Sequence, residues 1–428
     1  MEIGFVSTGA PLRRPRVACY TKMAVESGRE GKHRSFFAGA AGGLAASAVI
    51  WSGAISDTTS FAFTEEQKLI AEAWRVVDQG YIDRTFNNQD WFKIRMKAVK
   101  KQYKDRQEAY EAIRKMVSSL NDPYTRFLSP DQLDSLTSTT TGDIAGIGLE
   151  LYPGATKAGL QVLNVEGEGP AFRNGLKPDD VIIEIDGEET AELTPDEGAA
   201  RIRGSPGTTV VLTVQRTTDK QEELNLKFVR EQLKLKSVTQ SVKISAENRK
   251  VGYVKIKSFN GSTADDVKAA LENLKKQGAQ EYVVDLRNNP GGYFPAGVEV
   301  AQLFLDEGST VAFVINSKGI QDEYMSSVPA VTRDPVAVLI NKNTASASEV
   351  LAGALHDNNR AVLIGEKSFG KGVVQTVSPL SDGSGLAVTI AKYETPKHKE
   401  VNKVGIFPDV SKTCPQDETF VQCLPDGF

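Results

Sequence analysis

The chain has 428 residues, of which 40% are hydrophobic and 25% are charged, which is the ordinary composition of a globular protein with two or three domains. Its formal net charge of −4 argues against nucleic acid as a partner, because surfaces that bind nucleic acid are strongly basic. The three cysteines contain no CxxC pair, so a zinc cluster is not expected.

Residues 1–62 have the pattern of a targeting segment rather than of a folded domain. Residues 1–35 carry seven lysines and arginines against three glutamates, and the 16 residues from Phe36 to Trp51 have no charge. That run is short and rich in glycine and alanine for a membrane span, which needs about 20 apolar residues. A long basic stretch before an apolar run fits two signals in series, an organelle transit peptide and a signal for a second membrane. We expect the mature chain to begin near Phe63; a retained membrane anchor is the alternative.

Three segments with different patterns follow. Residues 63–141 have apolar residues three and four apart, which predicts helices. Residues 142–231 change to short strands and glycine turns, and residues 232–428 alternate strands with helices. We therefore predict an α/β multidomain chain: an N-terminal helical region, an inserted small domain, and an α/β core of βα units.

The inserted segment has a recognisable order of turns and strands. Its landmarks are GIGLELYP at Gly146–Pro153, a helix, turn and strand at Gly169–Gly187, and a strand at Thr208–Arg216. This order resembles a PDZ domain, which binds a peptide C-terminus as an added strand and holds the terminal carboxylate on backbone N–H groups of a Gly-rich turn. By that resemblance the turn consists of Gly146, Ile147, Gly148 and Leu149. A Gly-rich hairpin without a ligand is the alternative.

Residues 342–355, KNTASASEVLAGAL, predict a loop followed by a helix. The four residues Ser346–Glu349 have the spacing of a capping box, in which the serine and the glutamate each bond a backbone N–H of the other. Apolar residues follow at helical spacing. A structural cap is one interpretation. The other is a nucleophilic serine at the helix start, which requires a base and an oxyanion site.

The three histidines are poor candidates for that base. His356 lies ten residues after Ser346, about 15 Å along a helix, whereas a hydrogen bond needs about 3 Å. Asp357 is excluded by the same distance. His33 lies in the targeting segment, and His398 lies in a charged loop that we expect to be exposed.

Lys371 is the better candidate for a base. It stands between two glycines in SFGKGVVQT, beside apolar residues. Burial disfavours an ammonium and lowers its pKa, which a lysine general base requires. A lysine on an exposed glycine turn is the alternative. Ser368 and Lys371 also spell S-x-x-K, but that pattern works on a helix, and Gly-Lys-Gly is a poor helix former.

The segment NKNTASASEVLAGALHDNNRAVLIGEKSFGKGVVQT resembles the C-terminal processing peptidases, serine proteases with a Ser–Lys dyad. The resemblance runs from about Phe63 to Asp409 and includes the PDZ block in its usual place. The motifs NDPYTRFLSP and LSDGSGLAVTIAKYETP are closest to the chloroplast branch of this family. That branch trims the C-terminal extension from the precursor of a photosystem II reaction-centre core subunit in the thylakoid lumen, an address with which the two-signal N-terminus agrees.

The resemblance implies a role for each of five residues. Ser346 is the nucleophile, Lys371 is the base, and Gln375 orients the lysine. The oxyanion hole is formed by the N–H of Ala347, at the helix start, and the N–H of Gly292, in the loop NNPGG. No metal or organic cofactor is implied.

Three expectations follow about the neighbours of the dyad. Lys371 and Gln375 lie on one face of a strand, with a bend at Gly372 to bring their side chains together. Pro290 stands where family members can have a glycine, and it removes one backbone donor from the oxyanion loop, while Gly291 and Gly292 remain.

The third expectation concerns the helix cap. If Ser346 is the nucleophile, its hydroxyl cannot also be the cap. Asn343 can then take that role, which leaves Glu349 to brace the helix.

The remaining expectations concern the tail and the partners. Cys414 and Cys423 either form a disulfide in an oxidising compartment or remain two unpaired thiols. The expected partner is a precursor protein with a free C-terminal tail. The mature form is expected to be soluble and to meet the membrane through its substrate. Two alternatives stay open: a tail-binding module with an inactive core, and a crotonase-like acyl-CoA enzyme.

Overall fold

A computed structural model of the chain describes residues 63–151, 159–193, 195–216, 222–234, 236–245, 248–414 and 423–424. The predicted targeting segment, residues 1–62, lies outside these residues. Among the residues described, no helix combines the length and the apolar character that a membrane span requires.

The N-terminal region is helical, as predicted. Its elements are α1 (Glu65–Gly80), α2 (Trp91–Lys100), α3 (Arg106–Ser118), β1 (Arg126–Leu128) and α4 (Pro130–Thr141). Each helix begins at a polar cap whose side chain accepts a backbone N–H of the first turn: Thr64, Asp90, Asp105 and Ser129. The apolar faces of α1 and α3 meet in one cluster with the aromatic rings of Phe86 and Trp91, which stack 5.1 Å apart. The short strand β1 was not predicted.

The described part of the inserted domain has a main β-sheet, a two-stranded sheet and two short helices. Its elements are β2 (Asp143–Gly146), β3 (Leu149–Leu151), β4 (Leu160–Val165), α5 (Pro170–Arg173), β5 (Val181–Ile185), β6 (Glu188–Glu189), α6 (Pro195–Ile202), β7 (Thr209–Arg216), β8 (Glu222–Val229) and β9 (Glu231–Lys234). The main sheet has the order β3-β4-β5-β7-β8. Strands β2 and β9 pair antiparallel, with Gly146 opposite Glu231, so the chain enters and leaves the domain side by side.

Among the residues described, the core consists of two sheets and three helices. Its elements are β10 (Val238–Ile244), β11 (Lys250–Ile256), α7 (Thr263–Lys276), β12 (Glu281–Asp285), α8 (Phe294–Gln302), β13 (Thr310–Asn316), β14 (Gly319–Met325), β15 (Val336–Ile340), α9 (Ala347–Asp357), β16 (Val362–Gly365), β17 (Val373–Pro379), β18 (Gly385–Glu394) and β19 (Val410–Ser411). The βα alternation confirms the predicted α/β core.

The first sheet has the order β10-β11-β12-β15-β16-β19 and is parallel except at β10. Strands β12 and β15 are buried along their whole length, which explains their continuous apolar sequences. Helices α7, α8 and α9 contribute to the cluster on one face. On the other face Cys414 and Cys423 form a disulfide, so the first of the two predicted alternatives is the one observed.

The second sheet joins the core to the N-terminal region. It has the order β1-β18-β13-β14, with β17 also paired to β18. Strand β1 pairs antiparallel with β18, with Arg126 opposite Ala387. Side chains of β18, among them Leu386 and Val388, lie in the same apolar cluster as α1 and α3. The N-terminal region is therefore packed directly on the core.

Candidate active site

Ser346 lies at the turn from β15 into α9, and that turn is held on the neighbouring strand end. Thr344 donates its hydroxyl to the carbonyl of Leu286 at 2.8 Å, and the N–H of Ala345 donates to the carbonyl of Asn289 at 3.0 Å. Ser346 itself has φ 56° and ψ −120° and is 9% exposed. A non-glycine residue in this region costs about 1–3 kcal/mol, and such residues cluster at functional sites.

Glu349 connects the start of α9 to the loop that follows β16. One carboxylate oxygen, Oε2, accepts the N–H groups of Ser346 and Lys371, each at 2.9 Å. The other, Oε1, accepts the N–H of Gly370 at 2.7 Å and the hydroxyl of Ser368 at 2.5 Å. The side chain is fully buried. Burial raises the pKa of this carboxyl, while its four hydrogen-bond donors act in the opposite direction.

Tyr393, on β18, makes a second connection between the same two backbones. Its hydroxyl oxygen lies 3.1 Å from the carbonyl oxygens of both Ser346 and Lys371. The N–H groups of these two residues therefore meet at Glu349, and their carbonyl groups meet at Tyr393. The sequence contains no signal for this contact, because Tyr393 occupies an ordinary strand position.

The prediction that Asn343 caps α9 is wrong. Ser346 is the residue at the helix start, and Asn343 lies three residues earlier. The side-chain amide of Asn343 donates instead to Oδ1 of Asn288, at 3.0 Å. The expectation that Glu349 braces the helix is confirmed by its hydrogen bond to the Ser346 N–H.

The Lys371 side chain extends toward the N-terminal region. Its Nζ lies 5.0 Å from the centre of the Tyr124 ring. The pKa of Lys371 is lowered from the usual lysine value, chiefly by burial and secondly by the charge of Arg126. The carboxylates of Asp122 and Glu349 act in the opposite direction. Lys371 is partly buried, so the structure does not support the alternative of a lysine on an exposed glycine turn.

Lys371 and Gln375 do not lie on one strand, contrary to the prediction. Strand β17 begins at Val373, so Lys371 precedes it. A bend is predicted at Gly372, but the strand is irregular at a different position. The register of β17 against β18 shifts between Val374 and Gln375, which is the position of a β-bulge.

Gln375 and Lys371 nevertheless lie against the same residue. The Gln375 Nε2 donates to the backbone carbonyl of Tyr124 at 2.5 Å, while the Tyr124 ring lies beside the Lys371 ammonium. The predicted base and its predicted partner thus meet at Tyr124, which sequence reasoning did not single out.

The loop NNPGG passes directly against Ser346. A β-carbon on Gly291 would lie 2.7 Å from Cβ of Ser346 and 3.0 Å from the backbone nitrogen of Ala347. The N–H of Gly291 is already bonded to Oδ1 of Asn289 at 2.9 Å. Pro290 has no N–H, and the N–H of Gly291 is bonded. The next backbone N–H that the loop offers is therefore that of Gly292. Sequence reasoning did not foresee the close approach of Gly291.

The two predicted oxyanion donors lie on segments that meet at the serine. Gly292 has φ 140° and forms an isolated bridge with Phe259. That bridge uses the carbonyl of Gly291 and the N–H of Tyr293, which leaves the Gly292 N–H out of it. Ala347 is the first residue of α9, where backbone N–H groups have no partner within the helix.

His356 lies away from the serine hydroxyl, as its spacing along the helix predicts. Helix α9 is continuous, so His356 and Asp357 lie at the end opposite to Ser346. The two ring nitrogens of His356 face the carboxylates of Asp357 and Asp409, at 3.0 and 3.1 Å. His398 lies 3.0 Å from a carboxylate oxygen of Glu394 and is exposed.

The S-x-x-K pattern does not lie on a helix. Ser368 and Lys371 lie in the irregular segment between β16 and β17. The buried hydroxyl of Ser368 donates to Glu349 and accepts the N–H of Ile406 at 2.6 Å, so it has a structural role.

The predicted carboxylate turn runs from the end of β2 to the start of β3: Gly146, Ile147, Gly148 and Leu149. The carbonyl of Ile147 accepts the N–H of Ala171 at 2.7 Å, and that of Gly148 accepts the N–H of Glu166 at 3.0 Å. Gly148 has φ 81°. The turn's carbonyls are thus bonded within the domain, and the hydrogen bonds between described residues outside regular elements do not use the N–H of Ile147 or Gly148.

The described residues contain no group of three or more histidine, cysteine or acidic side chains that could hold a metal ion.

Comparison with known proteins identifies the family. A model of peptidase family S41 matches residues 250–412, and a PDZ domain model matches residues 139–228. The chain is 44% identical over 352 residues to the carboxyl-terminal-processing protease of Synechocystis sp., covering 82% of each chain. It is 43% identical to the chloroplastic carboxyl-terminal-processing peptidase 2 of Arabidopsis thaliana, covering 86% of this chain and 73% of the relative.

Solved structures agree with this assignment. A photosystem II D1 C-terminal processing protease is 39% identical, covers 84% of this chain and 97% of its own, and superposes with a TM-score of 0.57. A putative S41 protease from Bacteroides fragilis, at 19% identity and a TM-score of 0.50, shares the fold. This chain belongs to peptidase family S41 and is a serine-type carboxyl-terminal-processing peptidase with a PDZ domain.

Proposed function

We propose that Ser346 is the nucleophile, Lys371 the general base and Gln375 the residue that orients the lysine, in an endopeptidase that removes a C-terminal extension from a precursor protein. The observation that carries the proposal is the double connection between Ser346 and Lys371 through Glu349 and Tyr393. The two backbone nitrogens bond the same carboxylate oxygen, so they lie no more than twice the hydrogen-bond distance apart. A lysine side chain, with its flexible four-carbon stem, can span such a gap.

The chemistry follows from these positions. Lys371 takes the proton of the Ser346 hydroxyl as the oxygen attacks the scissile carbonyl. The N–H groups of Ala347 and Gly292 hold the oxyanion that forms, and the dipole of α9 adds to this attraction. The lysine then donates the proton to the leaving amine, which yields an ester on Ser346. Water, activated by the neutral lysine, hydrolyses that ester.

The PDZ domain supplies selectivity for a chain end in this proposal. The turn Gly146–Leu149 captures the free carboxylate of the substrate, and the substrate tail adds to the sheet beside β3. The hydrogen bonds accepted by the carbonyls of Ile147 and Gly148 support this role, because they fix the orientation of the peptide groups in the turn. We place the domain boundaries at 63–141 for the helical region, 142–231 for the PDZ domain and 232–428 for the protease core.

The proposed substrate is the precursor of the photosystem II reaction-centre core subunit, and the proposed location is the thylakoid lumen. The support is the similarity to the photosystem II D1 processing protease and to chloroplastic relatives, together with the two-signal pattern of residues 1–62. The enzyme would reach the membrane through this substrate. An inactive tail-binding module and a crotonase-like acyl-CoA enzyme are not favoured, since the relatives are named as proteases.

The test is cleavage of a peptide that carries the substrate's C-terminal extension, followed by mass spectrometry. The enzyme starting at Phe63 should release the extension, and Ser346→Ala should release none. Ser348→Ala is the matched control, because Ser348 is a buried serine two residues away whose hydroxyl donates to the carbonyl of Asn289. Equal cleavage by wild type and Ser346→Ala would overturn the assignment of the nucleophile.

A second peptide tests the PDZ domain. The same peptide with an amidated C-terminus keeps every side chain and loses only the terminal charge. We expect its kcat/KM to fall at least tenfold, about 1.4 kcal/mol, because a charge-assisted set of hydrogen bonds is lost. Equal cleavage of acid and amide would refute capture of the carboxylate and would leave the catalytic assignment untouched.

A further inference from the structure

Tyr124 contacts two of the three proposed catalytic residues. Its ring centre lies 5.0 Å from the ammonium nitrogen of Lys371. Its backbone carbonyl accepts the side-chain amide of Gln375 at 2.5 Å. Tyr124 belongs to the N-terminal helical region, 247 positions before Lys371 in the sequence. The catalytic site of the core is therefore completed by a residue from another region of the chain.

The segment that carries Tyr124 is fixed by side-chain hydrogen bonds to β18. Asp122 accepts the N–H of Tyr124 at 3.0 Å and the hydroxyl groups of Thr125 and Thr389 at 2.6 and 2.7 Å. The hydroxyl of Thr125 in turn accepts the N–H of Thr389 at 3.1 Å. Strand β1 continues this contact by pairing with β18. The position of Tyr124 relative to the core is thus set by several bonds that do not involve the catalytic side chains.

The carbonyl of Tyr124 decides which way the Gln375 amide faces. A carbonyl only accepts hydrogen bonds, so the NH₂ end of the amide must point toward Tyr124. The oxygen of the amide is then the end that remains to accept a hydrogen bond from an ammonium. This orientation is the one that a partner of Lys371 requires.

The ring of Tyr124 covers the amine of Lys371 from one side. The charged groups that act on this amine are Arg126 and Asp122, from the same segment as the ring, and Glu349, from α9. Burial is the largest influence on the lysine, and it favours the neutral amine. A ring face also attracts an ammonium, which favours the charged form.

We propose that Tyr124 is a positioning residue of this peptidase: its ring shields the amine of Lys371 from water, and its carbonyl turns the amide of Gln375 toward that amine. The proposal rests on the roles proposed above for Lys371 and Gln375. Tyr124 acts through these two residues.

The expected direction of the pH effect follows from magnitudes. Burial can lower a lysine pKa by as much as about 3–5 pH units, whereas attraction to a ring at a partly exposed site raises it by less than about one unit. Removing the ring admits water and should therefore raise the pKa of Lys371. The base is active when neutral, so the acidic limb of the pH profile of kcat/KM should move to higher pH.

The experiment compares three variants of the mature enzyme on the substrate peptide: Tyr124→Ala, Tyr124→Phe and Tyr110→Ala. Tyr110→Ala is the matched control, since Tyr110 lies in the same helical region and packs on Phe127, and its hydroxyl bonds Asp382. We expect the acidic limb of the kcat/KM profile of Tyr124→Ala to lie about one pH unit above that of the wild type. Below this limb kcat/KM should therefore fall about tenfold, while KM stays within about twofold of the wild-type value. Tyr124→Phe keeps the ring and should follow the wild-type profile.

Three results would overturn the proposal. They are an unmoved limb in Tyr124→Ala, an equal shift in Tyr110→Ala, and a loss confined to KM, which would make Tyr124 a substrate contact. If Tyr124→Ala does not fold, as judged by its melting curve, Tyr124→Leu replaces it, with a smaller upward shift expected and an unmoved limb contradicting the idea. Lys371→Ala distinguishes failure of this proposal from failure of the assignment of the base. If Lys371→Ala is active, Lys371 is not the base. If Lys371→Ala is inactive and Tyr124→Ala has the wild-type pH profile, only the role of Tyr124 is refuted.

Discussion

Glu349 accepts the backbone N–H of Ser346 and the backbone N–H of Lys371 with the same carboxylate oxygen, at 2.9 Å each. The two residues belong to different elements and lie 25 positions apart in the sequence. A carboxylate suits this place because it only accepts, and all four of its described partners donate. The spacing of the proposed nucleophile and base is thus determined by a side chain that takes no part in the bond-making steps.

Replacing Glu349 should damage both stability and catalysis. Glu349→Ala leaves three buried N–H groups and one hydroxyl without their acceptor, and each buried unpaired group costs about 1–3 kcal/mol. Glu349→Gln keeps the size but offers one acceptor oxygen and turns an NH₂ group toward donors. We expect both variants to lose about 2–4 kcal/mol of unfolding free energy and at least 100-fold in kcat/KM, measured by denaturation and by peptide cleavage.

The control for this prediction is Glu272→Gln, which removes an exposed carboxylate on α7. It should change neither quantity, because isolated surface charges contribute little. A Glu349→Gln enzyme with wild-type activity would show that the shared carboxylate oxygen does not set the geometry of the pair.

Lys371 should confer a distinctive pH dependence. Burial lowers its pKa below the usual lysine value of 10.5, and the base is active only when neutral. Activity should therefore rise with pH through this lowered pKa and be lost as pH falls through it. Lys371→Arg should abolish cleavage at every pH, since a guanidinium stays protonated. The measurement is kcat/KM between pH 5 and 10.

Lys367→Arg is the matched control, because Lys367 is an exposed lysine in the same loop. It should retain wild-type kcat/KM and the wild-type pH limb. A Lys371→Arg enzyme that still cleaves would exclude the lysine as the base.

Ser346 should show an unusual order of variant stabilities. Its φ of 56° strains any residue with a β-carbon, whereas glycine adopts it freely. Ser346→Gly should therefore be more stable than Ser346→Ala by about 1 kcal/mol, with both inactive. At Ser348, inside α9, the order should reverse, because glycine costs about 1 kcal/mol relative to alanine within a helix. Melting curves of the four variants test this, and the same order at both positions would contradict it.

Much of this site follows from local sequence patterns, and the remainder depends on contacts between distant segments. The serine at the start of a helix and the lysine in a glycine-rich loop are both visible in short stretches of sequence. Tyr124 and Tyr393 are not, because nothing in their neighbourhood indicates that the fold brings them to Lys371. Asn343 was misassigned as a cap because residue preference alone does not reveal where the backbone turns into the helix.

The fold shows the same division. Apolar periodicity predicted the helices, and the βα alternation predicted the α/β core. The pairing of β1 with β18 was not predictable, because it joins residues more than 250 positions apart. The bulge before Gln375 depends on register against a partner strand, which periodicity within one strand does not encode.

Gly291 should be intolerant of any side chain. A β-carbon there would lie 2.6 Å from the carbonyl oxygen of Ala345 and 2.7 Å from Cβ of Ser346, and the residue has φ 96°. Both the clash and the backbone conformation oppose alanine. We expect Gly291→Ala to lose at least 100-fold in kcat/KM, because the nucleophile must shift. Gly308→Ala is the control: its φ is 86°, but nothing lies within 4 Å of the added carbon. If Gly308→Ala lost as much activity as Gly291→Ala, the loss would have to come from backbone strain and not from the clash with Ser346.

The disulfide between Cys414 and Cys423 should stabilise the fold without affecting catalysis. Both cysteines lie in an apolar cluster on the face of the first sheet, and the carbonyl of Cys414 accepts Nη1 of Arg287 at 3.1 Å. A cross-link over a loop of this length contributes about 2–3 kcal/mol, mainly by restricting the unfolded chain. The double Cys→Ser variant should therefore melt a few degrees lower and cleave peptide at the wild-type rate at 25 °C. A dithiol reductant should lower the melting temperature of the wild type and leave that of the variant unchanged. If the wild type melts at the same temperature with and without reductant, the cross-link does not stabilise the fold.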